Sequence, residues 1–157
     1  MFPKSLEARA LGDHSMLFDE LLVAKAPAFV LPESGGQALV HGHCHRKALA
    51  WMNAELALLG RSRGLTIDTP DTGCCGMAGA FGYGVSRFDL SRAIGERALL
   101  LAVRKSDPST LIIADGFACR AQIRQFCSDR RPLHLAQVLN SSLRVTTEGG
   151  AQREVVS

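Results

Sequence analysis

Residues 111–119 carry the clearest structural signal of the chain, Leu111-Ile112-Ile113-Ala114-Asp115-Gly116-Phe117-Ala118-Cys119. Its first four residues form a short apolar run between turn-forming residues, which indicates a buried strand. From Ala118 to Cys127 the apolar residues recur at helical spacing. A buried strand that passes through a turn into a helix is the repeating unit of a parallel sheet.

On both sides of this segment, the chain repeats the alternation of strands and helices. Further strands are predicted at Ala38-Leu39-Val40, at Leu65-Thr66-Ile67-Asp68 and near Pro132-Leu133. Helices are predicted over about 6–11, 15–25, 45–59, 86–104 and 134–143. The predicted fold is therefore α/β: a three-layer sandwich around a short parallel sheet of about four strands, with an N-terminal helix. We expect an N-terminal helical segment over 1–36, a cysteine-rich α/β domain over 37–144 and a disordered tail over 145–157.

The composition is that of an ordinary globular protein, with 46% hydrophobic and 21% charged residues among 157. The net charge of +3 comes from scattered arginines without a basic run, so nucleic-acid binding is not expected. There is no signal-peptide pattern and no apolar run long enough for a transmembrane segment. We expect a cytoplasmic protein, with peripheral attachment to the inner face of the membrane through a larger parent as the alternative.

Four cysteines follow the predicted strands. Adjacent Cys74 and Cys75 stand between glycines, Cys44 follows the first strand, and Cys119 follows the strand at 111–114. Neighbouring cysteines do not easily form a disulfide with each other, and cysteines at such positions in a reducing compartment more often bind metal. Because sites in parallel sheets form at the carboxyl ends of the strands, we expect the four thiols to meet at one edge and to bind zinc or iron with sulfide.

Three histidines surround the first of these cysteines. Either His43 or His45 could complete a mixed metal site, while the alternative for all three, His41 included, is hydrogen bonding at the strand end or electrostatic tuning of the site. His134 opens the last helix at the same predicted edge. Asp115 is either a turn former or a carboxylate facing the site, and Cys127 is expected to pack as a small buried hydrophobe.

The glycines of the run 76–84 do not fit a nucleotide-binding motif. Their spacing matches neither the dinucleotide fingerprint nor a phosphate loop, so they either form a tight turn or allow backbone N–H groups to approach the cysteine sulfurs. A competing chemistry is a nucleophilic Cys44 activated by a neighbouring histidine. Nothing else in the sequence supplies an oriented base and an oxyanion site for it.

The segments His41-Gly42-His43-Cys44-His45, Gly73-Cys74-Cys75-Gly76-Met77-Ala78-Gly79 and Asp115-Gly116-Phe117-Ala118-Cys119 resemble the cysteine-rich CCG domain. That domain occurs in the B subunit of heterodisulfide reductase, in iron-sulfur subunits of glycolate oxidase and anaerobic glycerol-3-phosphate dehydrogenase, and in lactate-utilisation proteins. The likeness runs from about Leu17 to Leu143. It is strongest to the C-terminal part of fused FAD-linked oxidases that also carry iron-sulfur segments and act on D-2-hydroxy acids.

This resemblance implies electron transfer. It assigns Cys44, Cys74, Cys75 and Cys119 as ligands of an iron-sulfur cluster, of which the 4Fe-4S type is expected, with zinc as the alternative. Hydride would be taken from a D-lactate-type or glycolate-type acid by FAD in a partner domain, so the expected partners are flavin-binding and ferredoxin-like domains of a parent protein or complex. Without them the chain is expected to be inactive, and exposed surface would favour homo-oligomers.

The chain departs from the family pattern at two points. Gln122 stands where the pattern has the last cysteine of a Cys-x-x-Cys pair, and one such domain is present where the family normally has two. There is also no ferredoxin-type cysteine run and no recognisable flavin-binding segment, so we expect a fragment, an isolated terminal domain or a small subunit. Two other functions stay open: a structural zinc-binding interaction domain, and thiol/disulfide redox catalysis by the cysteine pair.

Overall fold

The computed structural model describes residues 5–29, 31, 33, 35–49 and 52–141. The strands are β1 (Gly36–His41), β2 (Leu65–Asp68) and β3 (Leu111–Ala114). The α-helices are α1 (Leu6–Asp13), α2 (Phe18–Lys25), α3 (Cys44–Leu49), α4 (Asn53–Leu59), α5 (Phe88–Glu96), α6 (Leu99–Lys105), α7 (Phe117–Phe126) and α8 (135–141). Two single 3-10 turns, Phe81–Tyr83 and Val85–Arg87, precede α5. The predicted tail over 145–157 lies outside the described residues.

The sheet has the order β2-β1-β3, and both strand pairs are parallel. In the register, Gly36 of β1 lies opposite Leu65 of β2, and Ala38 of β1 lies opposite Leu111 of β3. The α/β class with a short parallel sheet is thus confirmed. The fourth strand predicted near residue 133 is reduced to one bridge between Ile113 and Leu133, because the preceding proline has no N–H group with which to extend a ladder.

Both faces of the sheet are covered, which confirms the three-layer arrangement. Alternate residues of β1 and β3 point to opposite faces, so Leu39 and Ile112 pack into one core while Val40 and Ile113 pack into the other. The first core is completed by residues of α6 and α7 together with two of the predicted site cysteines, Cys75 and Cys119. The second is completed by residues of α2, α4 and α8.

Two predicted helices are interrupted. The helix expected over 86–104 is divided into α5 and α6 at Arg97 and Ala98, and Ala98 has φ −150° and ψ −54°, outside the helical region. The helix expected over 45–59 is represented by α3 and α4, with residues 50 and 51 outside the described part. Leu49, expected on the buried face of that helix, is 71% exposed.

The N-terminal helices are less buried than their apolar residues suggest. The helix predicted to start near Ser15 begins at Phe18, and the predicted apolar positions Met16, Leu17 and Leu21 are each exposed by about 40% of their surface. Of α2, Leu22 and Val23 pack against the second core, because the helix presents one narrow face to it and contacts α4. No residue of α1 is buried.

The connections place the cysteines at a single edge of the sheet. The carboxyl ends of β1, β2 and β3 lead, respectively, to Cys44, to the Cys74-Cys75 pair and to Cys119. Parallel strands end on the same side, so three loops that are distant in sequence meet there. Among the described helices, none is both long enough and apolar enough to cross a bilayer.

Candidate metal centre

Cys44 and Cys74 form the outer half of the site. Cys44 is the first residue of α3, and its Sγ lies 3.9 Å from Sγ of Cys74. The backbone N–H of Gly76 donates a hydrogen bond to Cys74 Sγ over 3.3 Å. Burial raises the pKa of Cys74, the Gly76 N–H opposes that rise, and the neighbouring Cys44 and Cys75 thiols add to it.

Cys75 and Cys119 form the inner half of the site, and both are almost inaccessible to solvent. The Cys119 thiol donates a hydrogen bond to Cys75, which is the largest cause of a pKa of about 4 for Cys75. The same hydrogen bond and burial raise the pKa of Cys119, and the neighbouring cysteines Cys75, Cys44 and Cys74 raise it further. The inner pair therefore holds one thiolate and one proton, and a metal ion bound there would take the place of the proton.

His41 is the histidine that faces the thiols. It is 1% exposed, and its Nδ1 lies 2.5 Å from Thr72 Oγ1. Its Nε2 is buried without a hydrogen-bond partner among the described residues, while the imidazole lowers the pKa of Cys75. An effect of this kind is the electrostatic tuning that the sequence offers as one alternative for the histidines. Strand alternation could have singled it out, because His41 lies two residues after Leu39 and so on the Cys75 face of β1.

The two histidines predicted as candidate ligands lie differently. His43 packs on the loop before Cys119: a Cβ atom added to Gly116 would come within 2.7 Å of both the His43 ring and Cys119 Sγ. His45 is exposed, and its ring centroid is 6.3 Å from that of His43. The absence of a side chain at Gly116 thus lets His43 and Cys119 approach each other, whereas His45 lies on the surface.

Glycines also allow the double-cysteine loop its shape. Gly76 has φ +95°, and a Cβ atom there would lie 2.1 Å from the carbonyl oxygen of Ser91 in α5. Gly95 of α5 is also close to the loop, because a Cβ atom there would lie 2.9 Å from the Cys75 carbonyl oxygen. The loop is therefore pressed against α5, with Cys74 on its outer side and Cys75 within.

Three other predicted residues lie around this group. Gln122, which stands where the resembled sequence pattern has its last cysteine, is buried and donates a hydrogen bond to the Ser91 carbonyl oxygen over 3.1 Å. Cys127 lies in the core at the far end of α7, with its Sγ 3.9 Å from the Leu100 carbonyl oxygen. His134 Nε2 is 3.8 Å from Asp115 Oδ1, and its Nδ1 accepts a hydrogen bond from the N–H of Ala136.

A buried ionic network adjoins the site. Arg46 of α3 donates hydrogen bonds to Asp19 of α2, to Glu55 of α4 and to Asp115 after β3. Burial, together with the charge of Asp115, raises the pKa of Glu55 to about 8, so this carboxyl group is largely protonated at neutral pH. No feature of the sequence indicates Arg46.

The arrangement fits a thiolate-bound group in its donors and surroundings. Four thiols from three loops lie at one edge of the sheet, the Gly76 N–H donates to Cys74 Sγ, and the buried imidazole of His41 lowers the pKa of Cys75. In the described part of the chain, no three His, Cys, Asp or Glu side chains form a ready-made metal site. A cavity of about 300 Å³ opens beside Cys74, between Asp71 and Arg97, and gives the outer half of the site access to solvent.

Comparison with known proteins points to oxidoreductases. Over 94 residues, 60% of its length, the chain is 31% identical to the C subunit of anaerobic glycerol-3-phosphate dehydrogenase from Escherichia coli K12. Over 123 residues, it is 29% identical to D-2-hydroxyglutarate dehydrogenase of the same organism, and over 76 residues 33% identical to that of Pseudomonas putida KT2440. It spans only 23%, 12% and 7%, respectively, of these relatives. No protein-family model and no solved structure matches.

Proposed function

We propose that this chain is an iron-sulfur electron-transfer module of a larger flavin-dependent dehydrogenase that oxidises D-2-hydroxy acids of the D-lactate or glycolate type. The observation that carries the proposal is the convergence of Cys44, Cys74, Cys75 and Cys119 at one sheet edge. The similarity to segments of two kinds of dehydrogenase supports an oxidoreductase context. Because the chain covers so little of these relatives, flavin, substrate and further clusters would belong to other domains.

The chain's own residues would bind and tune the cluster. The four cysteines would hold it as thiolates, and a 4Fe-4S cluster bound there would accept and release single electrons. The N–H of Gly76 would donate a hydrogen bond to the Cys74 thiolate, and the buried imidazole of His41 would stabilise negative charge on Cys75. Met77 N–H acts on Cys75 in the same sense. The opening beside Cys74 would be the side on which an electron-exchanging partner approaches.

Metal analysis of a matched pair of cysteine variants tests the proposal. Protein purified without oxygen is expected to contain iron and acid-labile sulfide and to give an electron paramagnetic resonance signal on reduction. Cys75→Ser should lose both iron and sulfide while keeping the fold. Cys127→Ser, which alters an equally buried thiol at the far end of α7, should retain them. Iron and sulfide retained in Cys75→Ser would contradict the assignment.

The same thiols are compatible with two other functions. Thiol/disulfide redox catalysis is favoured by the 3.9 Å separation of the Cys44 and Cys74 sulfurs and by the low pKa of Cys75. It predicts rapid alkylation of Cys74 or Cys75 in metal-free protein and reversible disulfide formation with a substrate. A structural zinc-binding interaction domain predicts stoichiometric zinc without sulfide in the same analysis.

A further inference from the structure

Arg46 is the centre of a four-residue group that we call the Arg46 network: Arg46, Asp19, Glu55 and Asp115. Its Nη1 donates hydrogen bonds to Asp115 Oδ2 over 2.9 Å and to Glu55 Oε2 over 3.2 Å, and its Nη2 donates to Asp19. The guanidinium group thus binds three elements at once. A planar fork of donors suits this task, whereas a lysine ammonium could not reproduce it.

The network is buried, which separates it from ordinary surface ion pairs. The Arg46 side chain is 10% exposed, and those of Asp19, Glu55 and Asp115 are 3%, 1% and 16% exposed. Exposed ion pairs contribute little to any geometry because solvent competes for both partners. A buried arginine left without its carboxylates would be strongly unfavourable, so the contacts fix its position.

The network joins two of the cysteine loops. Arg46 lies two residues after Cys44, and Asp115 begins the turn that leads into α7 and Cys119. The other oxygen of Asp115 accepts a hydrogen bond from the N–H of Leu135 over 3.0 Å, so this carboxylate is itself held in place. The ion pair between Arg46 and Asp115 therefore connects the segment that carries Cys44 to the segment that carries Cys119.

Helix α3 depends on the Arg46 network for its position. It contains six residues, none of them buried, and Cys44 is its first residue. So short a helix is not stable on its own hydrogen bonds and depends on tertiary contacts. The hydrogen bonds of Arg46 supply such contacts, to α2, to α4 and to the turn after β3.

We propose that Arg46 is a positioning residue that sets the distance of Cys44 from the other thiols of the site. It does not touch the bound group, and it acts through the placement of α3. The inference rests on the proposed function in one respect: an iron-sulfur cluster would be bound through Cys44, whose distance from the other thiols Arg46 sets. The spacing itself is a property of the metal-free chain, in which the Cys44 and Cys74 sulfurs are 3.9 Å apart.

The spacing can be measured without any metal. In the reduced, metal-free full chain, diamide converts the two thiols of Cys44 and Cys74 to a disulfide by taking up two electrons and two protons. The rate, followed by peptide mapping, depends on how often the two sulfurs meet. We expect Arg46→Lys to slow it by about tenfold or more, since the lysine keeps the charge but not the fork. Asp115→Asn should slow it to a smaller extent.

Arg130→Lys is the matched control. Arg130 is also a buried arginine, but it donates to Ser106 and to the Thr110 carbonyl oxygen, away from the cysteine edge. This variant should lose stability without changing the disulfide rate. Equal rates in Arg46→Lys and Arg130→Lys would overturn the inference, and if Arg46→Lys does not fold, an unchanged rate in Asp115→Asn would do so.

The two proposals fail in different ways. If anaerobically purified protein lacks iron and sulfide and yet Arg46→Lys slows the disulfide reaction, the iron-sulfur function is wrong and the positioning role stands. If the cluster is present and Arg46→Lys leaves the rate of disulfide formation unchanged, the iron-sulfur function stands and the positioning role of Arg46 is wrong. Where both stand, the cluster of Arg46→Lys should also show an altered reduction potential, which Arg130→Lys should not share.

Discussion

Gly76 is the residue in the cysteine loop that tolerates replacement least. Gly76→Ala would place a Cβ atom 2.1 Å from the Ser91 carbonyl oxygen and would force an L-residue to adopt φ +95°. Overpacking against backbone and left-handed strain each cost about 1 to 3 kcal/mol, so we expect the free energy of unfolding to fall by at least about 2 kcal/mol. Denaturant titration of the metal-free chain measures this change.

Gly79→Ala separates the two causes. Gly79 also has a positive φ, +66°, but a Cβ atom there would meet nothing within 4 Å. Its alanine variant should therefore show the strain alone, a loss of about 1 kcal/mol. Equal losses in both variants would show that the contact of Gly76 with α5 does not constrain the loop.

Glu55 makes the stability of the metal-free chain depend on pH. Its pKa of about 8 in the folded state lies above its value in the unfolded chain, so between these values the folded state binds more protons. The contribution of Glu55 to the free energy of unfolding should therefore fall as pH rises from about 5 through about 8, while the low pKa of Cys75 acts in the opposite sense. Glu55→Gln removes the Glu55 contribution alone, so its free energy of unfolding, measured by denaturant titration, should fall less or rise more over this range than that of the unsubstituted chain.

Glu33→Gln is the control for that comparison. The Glu33 side chain is 73% exposed beside Arg63, so its replacement should leave the pH dependence as it is in the unsubstituted chain. If Glu55→Gln retained the full slope from acidic to alkaline pH, another group would be responsible for the loss of stability, and the assignment to Glu55 would be wrong.

At the residue level, the sequence indicates the position of the thiols. Four cysteines after predicted strands are enough to place them at one edge, because parallel strands share a direction. The partners of those thiols are harder to predict. Proximity to Cys44 in sequence favours His43 and His45 as ligands, which stays a prediction, and it does not single out His41, whose imidazole lowers the pKa of Cys75. Arg46 is unpredictable because its carboxylates come from three distant segments.

Among the helices, α1 and α7 are expected to respond differently to the same substitution. Ala10 and Ala121 each occupy the fifth position of their helix, where proline removes a hydrogen bond and clashes with the preceding turn. In α1, which has no buried residue, Ala10→Pro should change the global free energy of unfolding by less than about 0.5 kcal/mol. In α7, which packs Ile123 into the core, Ala121→Pro should cost about 3 kcal/mol or more.

Chemical denaturation with circular dichroism measures both variants. A loss in Ala10→Pro as large as that in Ala121→Pro would mean that α1 contributes to the folded core. Loss of helical signal in Ala10→Pro without a change in the unfolding midpoint is the expected result, since α1 would unfold locally.

The periodicity of apolar residues predicts most bounds of the strands and helices, but not the break in a helix or the exposure of a helix face. The three strands of the sheet lie within about two residues of their predicted bounds, and α7 is displaced by one. The interruption at Arg97 and Ala98 could not be predicted because the apolar pattern continues through it, so only the backbone angles show the break. The exposure of Leu49 has a related reason: spacing gives the face of a helix but not whether another element covers that face.

At the level of the whole molecule, a group bound by all four thiols would connect three loops. Ligands that bind only the folded state stabilise it by mass action, and a cluster that ties Cys44, the 74–75 pair and Cys119 does so across most of the described chain. We expect chelation of the bound metal under reducing conditions to lower Tm by about 5 °C or more. Cys127→Ser protein should respond in the same way, and an unchanged Tm would indicate that the thiols do not hold a common group.

The strand order also fixes when the site can exist. The central strand β1 is synthesised first, and β2 can pair with one of its edges. The other edge of β1, including Ala38, has no partner strand until β3 and Leu111 have been synthesised. Cys119 follows β3, so the fourth thiol reaches its place only after most of the described chain has been synthesised. Pairing of strands so distant in sequence is slow because the intervening chain must first be closed into a loop. During biosynthesis, therefore, we expect any group that all four thiols bind to enter after β3 has paired with β1, and the first three cysteines to remain free thiols until then.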